Sequence, residues 1–207
     1  MSEDPGRESP RIEVVTGAAT ADFLAPAARL RIRVFREFPY LYDGTPAYEE
    51  EYLRVYPRAE DSVFVLARAG EDVVGLATGL PLAEADEEFR APFREAGFPE
   101  GEVFYFGESV LEPAWRGHGI GRRFMEERIR HAEGLGRFRT AAFCAVERPA
   151  DHPLRPPDYR PLDPFWERCG FRRHPELRAT YAWKDVGEPA ETDKPMAFWL
   201  RPLRSPA

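Results

Sequence analysis

The segment Arg116-Gly117-His118-Gly119-Ile120-Gly121 constrains this chain more than any other, because three alternating glycines separate an apolar run from an amphipathic one. Glycine lets the backbone turn tightly and puts no Cβ between it and a ligand. The run before the turn, Val103 to Leu111, is rich in β-formers and predicts a strand, closed by Pro113. The run after it predicts a helix from Gly119 to Glu133, with Ile120, Phe124, Met125, Ile129 and Ala132 as its apolar stripe. The first amides of such a helix lack internal partners and sit at the positive end of its dipole, so a phosphate group is well placed there. Arg116 and Arg122 add charge-assisted contacts. Two other phosphate motifs fail on spacing. No lysine follows as a P-loop requires, and the last glycine of a Gly-x-Gly-x-x-Gly fingerprint is replaced by Arg122 or Phe124.

At 207 residues and 43% hydrophobic, the chain suffices for one buried core, and no repeat or linker divides it. A single α/β domain is expected over residues 11–201, with a disordered tail at 1–10 and a further tail at 202–207. Strands are predicted at Ile12 to Thr16, Ser62 to Arg68, Asp72 to Leu80, Val103 to Leu111, Arg139 to Val146, Ala179 to Lys184 and Met196 to Leu200. Helices are predicted at Ala21 to Phe38, at Ala47 to Tyr56, over 84–97 with a break at Pro92, after the glycine turn, and from near Asp163. Residues 62–80 read as a hairpin, and 103–146 are long enough for a parallel crossover. The formal net charge of -7 argues against a nucleic-acid scaffold. No run of 18 apolar residues and no signal-like N-terminus appear, so a cytoplasmic protein away from membranes is expected. Cys144 and Cys169 form no metal or disulfide pattern, the four histidines share no ligand spacing, and no metal is expected.

Arg116-x-x-Gly119-x-Gly121 resembles the Arg/Gln-x-x-Gly-x-Gly/Ala signature of the GNAT acetyltransferases, and Phe165-Trp166-Glu167-Arg168-Cys169-Gly170-Phe171 resembles a second motif on that family's last helix. The resemblance covers residues 11–201 and implies an α+β domain with a mixed central sheet of about six or seven strands and about four helices. It implies acetyl-CoA as cosubstrate, held by backbone groups of Val110 and Leu111 along the pantetheine arm and by Arg116, Gly117, His118, Gly119, Ile120, Gly121 and Arg122 at the pyrophosphate. It further implies direct attack by the primary amine of a small molecule or peptide, and at the family level a homodimer. The reaction needs a base, oxyanion donors and an acid for the leaving thiolate. Glu108, near the end of the fourth strand, is the candidate base. The tyrosine usual in the second motif is Trp166, whose indole is no acid near neutral pH, so Trp166 is expected against the cofactor and Tyr159 or Tyr181 as the acid. The same substitution motivates the alternative of an acyl-CoA binding or sensing module without catalysis. The proline-rich stretch 148–164 is either a preformed wall on the acceptor side or a solvated flap.

Overall fold

The computed structural model describes residues 9–204. Of the expected tails, residues 1–8 and 205–207 lie outside the described residues. The framework is an eight-stranded mixed sheet of β1 (Arg11–Thr16), β2 (Val63–Ala69), β3 (Asp72–Pro81), β4 (Val103–Tyr105), β5 (Ser109–Leu111), β6 (Thr140–Val146), β7 (Arg172–Lys184) and β8 (Glu191–Pro202). Its order is β1-β2-β3-β4-β6-β8-β7, with β5 also paired to β3. The helices are α1 (Leu24–Phe35), α2 (Pro46–Tyr52), α3 (Val55–Arg58), α4 (Glu87–Glu95), α5 (Ile120–Gly134) and α6 (Asp163–Arg168). Among the described residues only β4 and β6 pair in parallel, and α5 supplies the crossover that a parallel pair requires.

Alternation along β2 sends Phe64 and Leu66 to one face and Val63, Val65 and Ala67 to the other. Helices α1 and α4 cover the first face through Ala27, Ala28, Leu30, Phe89 and Phe93. Helix α5 covers the second through Phe124, Met125, Ile129 and Ala132. A sheet buried on both sides explains why its central strands read as near-continuous apolar runs. Among the described residues no helix is long and apolar enough to cross a membrane.

Prolines account for the shifted helix boundaries. The helix expected from Ala21 opens as a 3-10 segment, Gly17–Phe23, and becomes α-helical only at Leu24. Pro26, lacking an N–H, then falls in the first turn, where no partner is needed. The helix expected over Ala47 to Tyr56 divides into α2 and α3, because Pro57 has no amide to offer the carbonyl of Leu53, which accepts from Tyr56 at 3.2 Å. Pro92 lies inside α4 and does not break it. At the other end β8 runs to Pro202, and Leu203 is buried, its amide donating to Arg139 O at 2.8 Å.

The strand expected over Val103 to Leu111 is interrupted at Phe106-Gly107-Glu108, between β4 and β5. There Thr78 of β3 faces two residues. Gly107 N donates to Thr78 O at 3.2 Å, Glu108 N donates to Thr78 Oγ1 at 2.8 Å, and Thr78 N donates back to Glu108 O at 3.0 Å. This is a bulge, which re-aims the side chain that follows. A Cβ on Gly107 would lie 2.2 Å from Tyr56 Oη and 2.8 Å from Thr78 Oγ1, so only glycine fits.

Candidate functional site

Gly117 and Gly119 have φ of 84° and 78°, the left-handed region, and Gly119 is the N-cap of α5. A Cβ at either position would meet nothing within 4 Å, so the outer side of the turn is open. The first bond closing onto the cap is Arg123 N to Gly119 O at 3.2 Å, so the amides of Ile120, Gly121 and Arg122 precede the internal ladder. No acidic residue lies in the first turn of α5 to compete for them. Arg116 folds back, its Nε donating to Leu111 O at 3.1 Å and its Nη1 pairing with Glu37 at 2.7 Å. Arg122 pairs with Glu126 at 2.7 Å, and His118 Nδ1 lies 2.9 Å from Arg116 O. The open glycine turn, its orphan amides and a first helical turn without acidic residues fit a diphosphate, while Arg116 and Arg122 are each paired with a carboxylate, Glu37 and Glu126.

The turn connects to the sheet through a gap. The parallel β4/β6 pairing ends with Phe106 N donating to Ala142 O at 2.7 Å; beyond it β5 pairs with β3, and β6 continues against β8 alone. Thr78 N bonds Glu108 O, and Glu112 N bonds Val74 O at 3.0 Å. Alternation therefore turns the backbone groups of Val110 toward β3, and those of Ser109 and Leu111 toward the gap.

On the α1/α4 face this gap opens into a cavity of about 70 Å³, whose walls include Tyr40, Tyr52, Tyr105, Glu108, Tyr181 and Trp183. Glu108 is buried at 4% exposure. Arg31 of α1 pairs with Glu108 and with Glu49 of α2, and Tyr52 Oη donates to Glu108 Oε1 at 3.0 Å. The Arg31 guanidinium lies 4.3 Å from the Tyr52 ring centroid and 5.1 Å from that of Phe35. Burial raises the Glu108 pKa above the ordinary carboxylate value; Arg31 opposes that shift and Glu49 reinforces it. Burial works against the Arg31 charge, but Glu108, Tyr52 and Glu49 together hold its pKa well above the ordinary value. Across the gap Tyr105 Oη lies 3.1 Å from Cys144 Sγ; burial raises the tyrosine and pushes the thiol up to about 12.

The structure brings some sequence candidates together and separates others. Glu108 and Tyr181 share the cavity. Tyr181 stacks on Phe89 at 5.2 Å, its Oη is 3.0 Å from Tyr48 Oη, and burial raises its pKa. Tyr159 packs edge-on against Phe38 at 4.7 Å, under Arg155, outside the residues that line the cavity. Trp166 packs between Phe143 and Trp199, each at 5.1 Å, on the α5 face. Its neighbour Phe165 instead reaches the turn, 3.6 Å from where a Cβ of Gly121 would be.

Sequence reasoning passed over Arg31, Glu49, Tyr105 and Arg128. Arg31 does carry a signal, since it occupies an inward position in the apolar spacing of α1. Arg128 carries the same one, spaced by four from Phe124 and Ala132. It is 1% exposed and donates to Thr78 O and Glu108 O, both at 3.1 Å, and to Ser109 Oγ at 2.9 Å, fixing the bulge from behind. Burial pulls its pKa down to about 9, still above neutral, so it remains charged.

A family model described as the acetyltransferase (GNAT) family matches residues 30–171, a span holding Arg31, the bulge and the glycine turn. An acetyltransferase from Thermus thermophilus superposes with a TM-score of 0.55 at 18% identity, over 93% of this chain and 97% of that one. A ribosomal-protein-alanine N-acetyltransferase from Brucella melitensis gives a TM-score of 0.60 at 15% identity, over 93% and 99%. A GNAT-family acetyltransferase from Streptococcus pneumoniae gives 0.56 at 13%, over 94% and 100%. At these identities the likeness is one of fold. No curated protein matches the sequence significantly.

Proposed function

This chain belongs to the GNAT acetyltransferase family, and on that premise we propose that it moves an acetyl group from acetyl-CoA to a primary amine by direct attack. The observation that carries the reading is Glu108, a buried carboxylate aimed by the bulge into the cavity beside the β5/β6 gap, with the glycine turn at the gap's far end. Acetyl-CoA supplies the activated acetyl group and the thiol leaving group. The amides from Gly117 to Arg122 would hold its diphosphate, and the backbone groups of Ser109 and Leu111 would lie along its pantetheine arm, the Leu111 carbonyl also accepting from Arg116 Nε.

An amine is a nucleophile only after losing its ammonium proton, and Glu108 is the group that takes it. Arg31 and Tyr52 both contact Oε1, which leaves Oε2 to accept the proton. A carboxylate whose pKa is raised toward neutral is a better base than an ordinary one. For the departing thiolate this reading assigns the proton to Tyr105, whose phenol spans β4 and β6 at the gap. Tyr181 lies beside Tyr48 on the cavity wall, and Tyr159 packs on Phe38 outside it.

Thiol release from acetyl-CoA with a panel of primary amines tests the proposal. Amine-dependent release that Glu108→Gln suppresses supports it. Acetyl-CoA that raises the melting temperature without any amine being acetylated overturns it in favour of a binding module.

A further inference from the structure

The acceptor side of the cavity is closed along one wall. The α1–α2 connection and the end of β7 are joined by main-chain bonds: Asp43 N to Lys184 O at 2.9 Å, Val186 N to Leu41 O at 2.6 Å, and an antiparallel bridge between Tyr42 and Asp185. Arg148 reinforces the seam, donating to Pro39 O at 2.8 Å and Tyr40 O at 2.7 Å while holding Asp185 bidentately at 2.8 Å. Tyr40, Tyr42 and Trp183, which belong to these joined segments, line the cavity. A polypeptide lying across the site would need that seam open.

The open side is elsewhere. A vestibule of about 380 Å³, walled by Glu51, Arg54, Val55, Arg58 and Asp86, adjoins the cavity and shares Tyr48, Tyr52 and Tyr181 with it. The Tyr48 and Tyr181 hydroxyls, 3.0 Å apart, form the partition. Inside it the Glu108 carboxylate lines the cavity, and Arg31, which also lines it, pairs with Glu108 and with the fully buried Glu49 behind the wall. Aromatic faces around a buried carboxylate favour a cation on a flat or slender apolar body.

We infer that the acceptor is a compact monocationic arylalkylamine, entering through the tyrosine partition with its ammonium at Glu108 and its ring against Tyr48, Tyr52 and Tyr181, and not a polypeptide. The inference rests on the acetyltransferase reading for its chemistry, but its binding half is separable from it. 2-Phenylethylamine, the neutral 2-phenylethanol and a hexapeptide with a free N-terminus serve as probes of the full-length protein saturated with CoA, by calorimetry, and with acetyl-CoA, by thiol release. Expected is binding of the amine at least about tenfold tighter than of the alcohol or the peptide, with the same order in kcat/KM. Peptide bound or acetylated as well as the amine overturns the inference and leaves the acetyltransferase reading standing. Amine bound selectively but never acetylated upholds it and removes the reading. Tyr48 is 43% exposed, so Tyr48→Ala should fold normally and widen the partition, raising kcat/KM for a bulkier naphthylalkylamine relative to 2-phenylethylamine by about fivefold or more. An unchanged ratio counts against entry at this point.

Discussion

At the level of single residues, Glu108 carries two measurable consequences. Glu108→Gln keeps the shape and removes the proposed base, so kcat/KM should fall by about 10² to 10⁴ while CoA affinity stays within about twofold, checked by steady-state kinetics and calorimetry. Because a base works deprotonated and burial raises this pKa, kcat/KM of the wild type should rise with pH through a value above the ordinary carboxylate range. The stability sign is opposite. The folded chain holds a proton that the unfolded chain releases at the ordinary pKa, so unfolding free energy falls as pH rises from there through the raised value. Glu108→Gln should lack that fall, and urea titrations at several pH values across the window test it. Glu108 stood out in the sequence because it lies near the C-terminal end of the expected fourth strand, ahead of a glycine turn. Its partners were not, since Arg31 and Glu49 are 18 positions apart and meet only when α2 folds back over α1.

The elements repeat this contrast between local signal and tertiary contact. The glycine turn was readable from spacing alone, and Gly119→Ala tests what it is for. A Cβ there meets nothing, so the folding cost is the left-handed φ, about 1 kcal/mol, read from the urea midpoint. The new methyl projects on the open side among the helix-start amides, so the Kd for CoA should rise by about tenfold, more than the stability loss accounts for. The bulge did leave a trace, the isolated Gly107 inside the apolar run Val103 to Leu111, but the partner that breaks the strand there is the Thr78 hydroxyl on the neighbouring strand, which spacing does not show. Gly107→Ala should therefore cost about 1–3 kcal/mol through the collision with Tyr56 and Thr78, and should also displace Glu108 and lower kcat. Circular dichroism with denaturant, beside single-turnover rates, measures both. Helix limits differ from the periodic pattern where Pro26 and Pro57 withhold a donor from the carbonyl four residues earlier, an effect that spacing averages out.

At the scale of the whole molecule, the site depends on segments far apart in the chain being fastened across one cleft. The main fastener is Arg148, whose guanidinium joins the carbonyls of Pro39 and Tyr40, more than a hundred positions earlier, to Asp185 in the C-terminal hairpin. Composition said nothing of this, and Arg148 read only as the start of a proline-rich stretch. The stretch itself packs His152 and Tyr159 on Phe38, beside the seam, while the cavity walls come from the tyrosines of α1 to α2 and from β7. The side chains of Arg148 and Asp185 are 8% and 12% exposed, so the pair has little solvent to fall back on when one member is lost. Arg148→Met leaves Pro39 O without its donor and leaves Asp185 with Lys194 at 3.5 Å as its remaining cation, while Tyr40 O keeps Trp183 Nε1 at 3.0 Å, so stability should fall by about 1–3 kcal/mol, seen as a lower urea midpoint at an unchanged slope. Arg148→Lys should recover little, because an ammonium lacks the planar fork that spans Asp185 and both carbonyls at once. Asp185→Asn keeps the shape and loses the charge, so it should fall between the two. If the seam is what closes the cleft, all three variants should lose discrimination between a small amine and a free peptide N-terminus in proportion to their loss of stability. A variant that is destabilised yet equally selective would assign Arg148 to folding alone.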